Sequence, residues 1–580
     1  MARLSPQVTW PPGFRMDTVG LAYQPRPDGP AEYLSGPFAV HAKARADDGT
    51  GWSLVLSFRD SDNRIQVAVI GYGDLASGEA GEVRRDLASR GLWLASRRGA
   101  KERFAEALAG VRVDLRAVIV NKAGWHGEGE VFAVPSFTAA APNRQAEPIV
   151  FQSGQSAAHF RIAGDLATWR AEVAALAEGQ TRLEFALGLG FAGPLLEPLG
   201  AEGGAFNYVG ASSSGKTTAL RLAGSIWGGG GPLGFATSWR TTANAIEGTA
   251  SAHNDSLLCL DELGLIEPRD LEAAAYVLTG GSGKGRSRAD GDLRARTRWR
   301  VCVLSTGEIG LAQRLAEGGA NRQAKAGQGV RFVDVDADAG AGLGLFNHVG
   351  PFAGPGALAD ALRERTAHQH GTAGPAFVQR LLEGKAEAIR TARDHMAAFV
   401  SEHVPDGASG QVVRVAQRFG LVAAAGELAT AFDILPFSPG TVTEAAGALF
   451  RSWVRSRGGV GASEDRDAVT AVRHFLQQHG PARFISADKA LDESAWRAQR
   501  VAGYRMRGET TAEDGDYLFH SSGFAEAIAG LDRRAAADAL AEAGFLKKDP
   551  TGKRTRSERV GGKSMRVYRV SCSILEGDEE

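Results

Sequence analysis

Cysteine is scarce: Cys259, Cys302 and Cys572 are the only three in 580 residues, and they lie far apart. There is no C-x-x-C pair and no Cys/His cluster among the 12 histidines, so no zinc site is expected. Cys259 and Cys302 sit in apolar runs and are expected as buried free thiols. Lysine is scarce too, 12 against 54 arginines, a skew that looks like the codon usage of a GC-rich bacterial genome rather than a physical demand. Net charge is nearly absent, at −1, so no global field draws the chain to nucleic acid or membrane, and any basic surface must be local. Long apolar runs are missing. The most apolar stretch, Leu183 to Leu199, is broken by three glycines, two prolines and two glutamates and is too interrupted to span a bilayer. Met1-Ala2-Arg3-Leu4-Ser5-Pro6 leads into no apolar h-region. The expectation is a soluble cytoplasmic protein with no membrane partner. With 43% hydrophobic and 23% charged residues, three or four packed domains are expected.

What is present is a glycine-rich loop. Gly210-Ala211-Ser212-Ser213-Ser214-Gly215-Lys216-Thr217 fits G-x-x-x-x-G-K-[ST]. Phe206-Asn207-Tyr208-Val209 before it reads as a buried strand, and Thr218 to Ala223 after it reads as the first turns of a helix. Glycines let the backbone N–H groups turn inward toward phosphate oxygens, and the helix N-terminus adds about half a positive charge. Gly210, Ser212, Ser213, Ser214, Gly215, Lys216, Thr217 and Thr218 are therefore expected to hold a nucleotide, ATP. Lys216 would reach the β- and γ-phosphates and Thr217 would ligate Mg2+. The flanking strand and helix argue against a chance match in a chain with 75 glycines.

Hydrolysis needs a second, acidic strand. Leu257-Leu258-Cys259-Leu260-Asp261-Glu262 supplies it, 45 residues after Lys216. Four apolar residues suit a strand covered on both faces of a parallel sheet, whose C-terminal end presents ligand groups. Asp261 is expected to hold Mg2+ and Glu262 to polarise the attacking water. The bland alternative is a helix N-cap followed by a first-turn acid. A third strand, Trp299 to Leu304, ends at Ser305-Thr306, where the Thr306 hydroxyl either senses the γ-phosphate or caps the strand. Gly329 to Val335 reads as a further strand. Its Arg331, or Arg322 before it, is a candidate arginine finger, with a structural ion pair as the rival reading. Arg418 is a weaker candidate for reaching nucleotide from a lid.

Between the acidic strand and the third strand, Lys284, Arg286 and Arg288 alternate with small residues, then Asp290-Gly291-Asp292 follows, then Arg294, Arg296, Arg298 and Arg300 alternate again. Period-two spacing puts each strand's cations on one face, and Asp-Gly signals a hairpin turn. A ribbon of one sign calls for an anionic partner, here a polynucleotide backbone whose binding weakens with salt. The rival is an edge hairpin that blunts aggregation with charge. Residues 545–570 repeat the pattern with Lys547, Lys548, Lys553, Arg554, Arg556, Arg559, Lys563, Arg566 and Arg569 against Asp549 and Glu558.

The chain therefore divides into four expected parts. Residues 1–180 form a strand-rich N-terminal domain, with paired strands at 53–58 and 65–70, a helix at 100–109 and strands at 111–120 and 129–134. Residues 181–350 carry the nucleotide chemistry in an α/β fold, a parallel sheet with helices on both faces. Residues 351–475 are helical, with amphipathic runs at 357–368, 377–404 and 442–455. Residues 476–580 read as a winged helix: helices at 523–529 and 533–543, then a hairpin opened by Phe545-Leu546 and closed by Met565 to Val570. Such a domain touches either duplex DNA or protein.

Phe206 to Thr218, Trp239, Thr241-Thr242-Ala243-Asn244, Glu247, His253-Asn254-Asp255, Leu260-Asp261-Glu262-Leu263 and Ser305-Thr306-Gly307-Glu308 together resemble the bacterial family known as domain of unknown function 927. Its members include replicative helicases of mobile elements and prophages, and it looks related to AAA+ helicases of the mini-chromosome-maintenance kind. The resemblance implies an AAA+ ATPase core, a homo-hexameric ring with ATP sites between subunits, and a hairpin in the pore mapping onto Lys284–Arg300. It also implies a finger mapping onto Arg331 and a C-terminal winged helix on duplex DNA. A separate primase or single-strand-binding protein would supply what this chain does not carry. The expected function is an ATP-driven DNA helicase or translocase. Its rivals are a nucleotide-dependent assembly switch and a DNA-packaging or RNA-directed motor.

Overall fold

A computed structural model describes residues 6–26, 28–76, 80–142, 147–152, 159–283, 297–318, 326–457, 463–488, 500–507, 515–528 and 531–576. The chain divides into two compact units, one of residues 1–323, 332–398 and 418–449 and one of 324–331, 399–417 and 450–580. Among the described residues no helix is long and apolar enough to cross a membrane.

The first unit begins with strands. Ser53–Arg59 pairs antiparallel with Ile65–Gly71, joined by a polar turn in which Asn63 takes a positive φ of 63°. These strands edge a five-stranded sheet that continues through Ala39–Ala46, Arg116–Val120 and Ile149–Phe151. The helix Ala100–Gly110 buries Phe104, Ala107 and Leu108 against one face of that sheet. The expected strand at 111–120 is two, Arg112–Val113 and Arg116–Val120. The expected strand at 129–134 begins only at Val131, because Gly129 lies in a turn at φ 78°.

The second layer of the unit is the one that positions a site. Helix α1 (Thr181–Ala192) precedes β1 (Gly204–Val209), and α2 (Lys216–Gly224) follows it. Then come β2 (Thr237–Ser238), α3 (Ala243–Ala252), β3 (Leu257–Asp261), α4 (Pro268–Gly280), β4 (Cys302–Gly307) and β5 (Phe332–Asp336). The strands form one parallel sheet in the order β2-β3-β4-β1-β5. β3 is apolar throughout because both its faces are covered, and Leu257 to Leu260 are 0–1% exposed. Cys259 and Cys302 are buried with them, and burial pushes the Cys302 thiol up to about 12. α4 starts with Pro268 at its first position and ends at Gly281, left-handed at φ 65°. Phe185 of α1, Phe206 of β1 and Phe419 pack as a trio with centroids 4.9–5.3 Å apart.

Two strand boundaries differ from the sequence reading. β4 starts at Cys302, not Trp299, because the Trp299 and Arg300 amides bond outside the sheet, to the Gly281 carbonyl and the Asn254 side chain. β5 starts at Phe332, and Arg331 instead closes a short helix, Ala326–Arg331.

The helical stretch comprises Pro355–His368, Ala373–Glu383, Lys385–His403, Gly410–Ala431 and Thr441–Ser456. The run expected at 377–404 is broken in two where Gly384 leaves helical geometry at φ −136°, ψ 41°. In the second unit, α5 (Ser463–Arg483), α6 (Ser521–Ala527) and α7 (Arg533–Glu542) pack beside a sheet of β6 (Phe484–Ser486), β7 (Gly503–Arg505), β8 (Tyr517–Phe519), β9 (Arg556–Val560) and β10 (Lys563–Val570). Its order is β6-β7-β8-β10-β9. The hairpin is tighter than its sequence suggests. Leu546 makes one isolated bridge to Val570, and the ladder is β9 against β10, turned at Gly561-Gly562 with φ 52° and 79°.

Within α1 every residue from Arg182 to Ala192 is buried, Glu184 included. Burial pushes the Glu184 carboxyl up to about 7, with Glu178 and Glu444 adding to the rise and the Gly179 and Gln180 N–H groups opposing it. A folded pKa above the unfolded one disfavours the charged form, so this site loses stability as pH rises from about 4.5 through about 7. Glu184→Gln should melt higher than the parent by a margin that widens from pH 5 to pH 8, by up to about 3 kcal/mol. A margin equal at both pH values would show that burial does not control this carboxyl.

Candidate nucleotide site

The loop between β1 and α2 is shaped by backbone geometry. Gly215 takes φ 93°, and a Cβ there would meet Phe346 at 3.3 Å and Leu345 at 3.4 Å. Ser213 is left-handed as well, at φ 61°, a strained position for a residue with a side chain. The loop is tied at both ends: the Gly210 amide donates to the Gly307 carbonyl at 3.2 Å, and the Leu345 amide donates to the Ser214 carbonyl at 2.8 Å. Ser212 and Ser213 are exposed, and the Thr218 amide donates to the Gly215 carbonyl at 2.9 Å. Lys216 is only 7% exposed, and its ammonium donates to the carbonyls of Gly210 and Ala211 at 2.7 and 2.6 Å.

β4 lies between β1 and β3, so the acidic strand does not neighbour the loop strand. Parallel register pairs Tyr208 with Thr306 and Leu260 with Ser305, so the C-terminal ends of all three strands coincide. Asp261 is the meeting point. Thr217 Oγ1 donates to its Oδ1 at 3.2 Å, and Thr306 Oγ1 donates to the same oxygen at 2.7 Å. Thr306 accepts in turn from the Glu262 amide at 3.1 Å. Glu262 sits at φ 64°, ψ 79°, outside the strand geometry that ends at Asp261. Its carboxyl is raised above the ordinary carboxylate range by burial first, then by Glu308 and Asp261, with Lys216 opposing.

The donor set fits a phosphate ester with a hard divalent cation. A glycine-bearing loop at a helix N-terminus and an ammonium suit phosphate oxygens, while the hydroxyl and carboxylate of Thr217 and Asp261 suit Mg2+. Six of the expected residues, Gly210, Ser214, Gly215, Lys216, Thr217 and Thr218, share this loop with Ser212 and Ser213, and Asp261, Glu262 and Thr306 converge on it. Arg418 does not join them. It is 7% exposed and bonds the Gly203 carbonyl and Glu202, at the start of β1 rather than at the end that leads into the loop. Arg331, at its helix end, makes no ion pair among the described residues.

Of the basic ribbon, Lys284, Arg286, Arg288, Arg294 and Arg296 lie outside the described residues, as does Arg322. The ribbon's root is described: Ser282 bridges Arg298 antiparallel, the Gly283 amide donates to the Thr297 carbonyl at 2.9 Å, and the Trp299 amide donates to the Gly281 carbonyl at 3.0 Å. Arg298 is exposed. Arg300 is no free cation of the ribbon. Its Nε donates to Asp255 Oδ1 at 2.7 Å, another guanidinium nitrogen pairs with Glu197, and its amide donates to Asn254 Oδ1 at 2.8 Å. Asp255 is 0% exposed and also accepts the Trp125 amide at 3.1 Å, while Asn254 donates to the Ala123 carbonyl at 2.8 Å. A Cβ on Gly124 would meet Asp255 at 2.4 Å, so only glycine allows this approach. Sequence reasoning quoted Asn254 and Asp255 without a role. The Asn-Asp pair between a helix and an apolar strand was the available signal.

Five of the nine C-terminal cations are likewise paired, with Asp516 and Asp538 outside the segment and Glu558 within it. Arg554 is bidentate to Asp538 at 2.8 and 2.6 Å, with Lys548 nearby at 3.8 Å. Lys547 and Arg569 share Asp516, and Arg556 and Arg569 flank Glu558. Five of the nine cations expected as a basic surface are thus partnered by acids. Arg559, Lys563 and Arg566 form no ion pair among the described residues.

Residues 14–298 match the family model described as Domain of unknown function (DUF927). The chain carries a DUF927 domain. A solved structure described as SCCmec type IV Cch, an active helicase, is similar over 97% of this chain and 99% of that one, with 16% identity and a TM-score of 0.71. At that identity the likeness establishes a common fold. NtrX from Brucella abortus in complex with ATP is similar over 44% of this chain and 67% of that one at 15% identity, with a TM-score of 0.19, too low to bear on the fold. A search of curated proteins returns no match to this DUF927 sequence.

The root geometry separates two neighbouring arginines. Arg300→Ala should destabilise the protein by about 2–4 kcal/mol, because the buried Asp255 carboxylate loses its cation. Arg298→Ala should change stability by no more than about 0.5 kcal/mol, since it is exposed. Urea denaturation measures both, and equal effects would remove Asp255–Arg300 from the root.

Proposed function

We propose that this protein is an ATP-dependent DNA helicase or translocase with an AAA+ core, working as a homo-hexameric ring in the replication of a mobile element, prophage or plasmid. The observation that carries this reading is Asp261, whose one carboxylate oxygen accepts from both the loop hydroxyl of Thr217 and the Thr306 hydroxyl of the adjacent strand. That link sets the loop beside the acidic strand that carries Glu262, the residue hydrolysis needs. The reading is supported by a fold shared over nearly the whole chain with a protein described as an active helicase.

In this reading the loop from Gly210 to Thr218 cradles the phosphates of ATP: Ser212, Ser213, Ser214 and Gly215 offer backbone amides, Gly210 and Thr218, whose amides bond Gly307 and Gly215, hold the loop at its ends, and Lys216 neutralises the phosphates. Mg2+, held by Thr217 and Asp261, supplies charge compensation on the phosphate oxygens. Glu262, its carboxyl raised by burial, orients water and accepts its proton. Thr306 reports the state of the site to the Glu262 backbone through the bond they share. Arg331 completes the site of a neighbouring subunit. The ribbon of Lys284, Arg286, Arg288, Arg294, Arg296 and Arg298 grips a single strand in the ring pore, and the C-terminal unit, a winged helix, meets duplex. A primase or single-strand-binding protein acts alongside.

Lys216→Ala should abolish nucleotide binding. Glu262→Gln should bind ATP but lose about 100-fold or more in turnover, measured by phosphate release. Replacing Arg286, Arg288, Arg294 and Arg296 together by Ala should remove strand displacement on forked substrates while leaving ATP binding intact. Protein that releases no phosphate with magnesium and either DNA or RNA present overturns the reading. Nucleotide-dependent oligomers without strand separation would identify an assembly switch, and preferential stimulation by RNA an RNA motor.

A further inference from the structure

The second unit holds a cleft of about 850 Å³ between the end of α5, the start of α6, residues 500–501 and β10. Its construction is local and tight. α6 approaches the 502 backbone so closely that a Cβ on Gly523 would lie 2.0 Å from the Ala502 carbonyl oxygen. The His520 side chain, 6% exposed, bridges the same two segments, bonding the Val501 carbonyl at 2.7 Å with one nitrogen and Ser522 at 2.9 Å with the other. Along β10, Arg566 and Tyr568 share a face by strand alternation, and Tyr568 stacks on Phe524 of α6 at 4.1 Å, so Arg566 lines the α6 side.

The charge in this cleft is uneven. Glu526 is the one acid among its lining residues, and Arg483 holds it in a bidentate pair at 2.5 and 2.7 Å. Arg483 also donates to the Arg500 carbonyl at 2.7 Å, fixing a residue whose φ is 50°. The lining cations Arg500 and Arg566 form no ion pair among the described residues, and His479 lies beside them. Elsewhere in the C-terminal segment Lys547, Arg554, Arg556 and Arg569 are held by Asp516, Asp538 and Glu558, while Arg559 and Lys563 form no ion pair among the described residues.

We propose that this cleft is a phosphate-binding site that takes a backbone phosphate of a polynucleotide, through Arg500 and Arg566. It rests on the reading of the chain as a DNA-directed protein and narrows the contact of the C-terminal unit to the cleft between Arg500 and Arg566 of β10. Two guanidiniums with one neutralised acid recognise a phosphodiester, and the cleft is open enough to admit it as part of a chain.

The test uses the full chain without ATP and fluorescence anisotropy with single-stranded and duplex oligonucleotides over a salt series. Arg500→Asn keeps a residue that tolerates positive φ, and Arg566→Gln lies on an exposed strand position. The double variant should bind about tenfold or more weakly, with the slope of log K against log salt reduced by about 1 to 2, roughly one phosphate contact per arginine. Its melting temperature and its ATP binding should match the parent's, which keeps this result separate from any failure of the ATPase reading. Unchanged affinity and slope overturn the proposal, as does loss of binding in Arg559→Gln/Lys563→Gln with the cleft variant unaffected. Inorganic phosphate titrated by calorimetry distinguishes the ligand source. Phosphate binding abolished by the double variant, with oligonucleotide affinity unchanged, identifies a free-anion site and overturns the polynucleotide assignment.

Discussion

The strand ends around the glycine loop meet at one carboxylate oxygen. Asp261 Oδ1 accepts from Thr217 and from Thr306, and so ties the helix that follows the glycine loop to the strand lying beside it. That link exists because β4 is inserted between β1 and β3, with registers that bring the three strand ends level. Displace β4 by a residue and side chains change face, which would remove the Thr306 hydroxyl from the site. Around it stand the buried Lys216, held by the Gly210 and Ala211 carbonyls, the turn out of the sheet at Glu262 and the carboxyl raised there by burial.

A second polar junction holds the base of the basic ribbon. Asn254 and Asp255 lie just before β3, and they bind the N-terminal segment at Ala123 to Trp125 on one side and Arg300 on the other. The carboxylate that anchors the ribbon and the carboxylate that meets the loop therefore stand at opposite ends of one short strand. Leu257 to Leu260 between them are fully buried, so the strand is a stiff connection.

The glycine loop and the acidic pair were legible because their chemistry is local: a run of eight residues and a run of six. The paired strands 53–59 and 65–71 were legible from alternation and turn residues. Charge was not. Nine cations at 545–570 read as a basic surface, yet Asp516 and Asp538, outside that segment, hold Lys547, Arg554 and Arg569. Arg300 looked like one more ribbon cation and is instead tied to the buried carboxylate of Asp255. Arg418 looked like a reach toward nucleotide and braces the far end of β1. The break at Gly384 was also missed, because amphipathic spacing continues across it.

The sequence by itself determined the chemical inventory of the site and the type of most elements, because residue type and short-range periodicity act over a few bonds. Only the tertiary structure decided which strand lies beside the loop, which carboxylate oxygen two threonines share and which arginines keep their charge toward solvent. The reason is physical. Strand order and ion pairing are settled by groups tens or hundreds of residues apart, and a guanidinium is free or neutralised according to neighbours that no local pattern records.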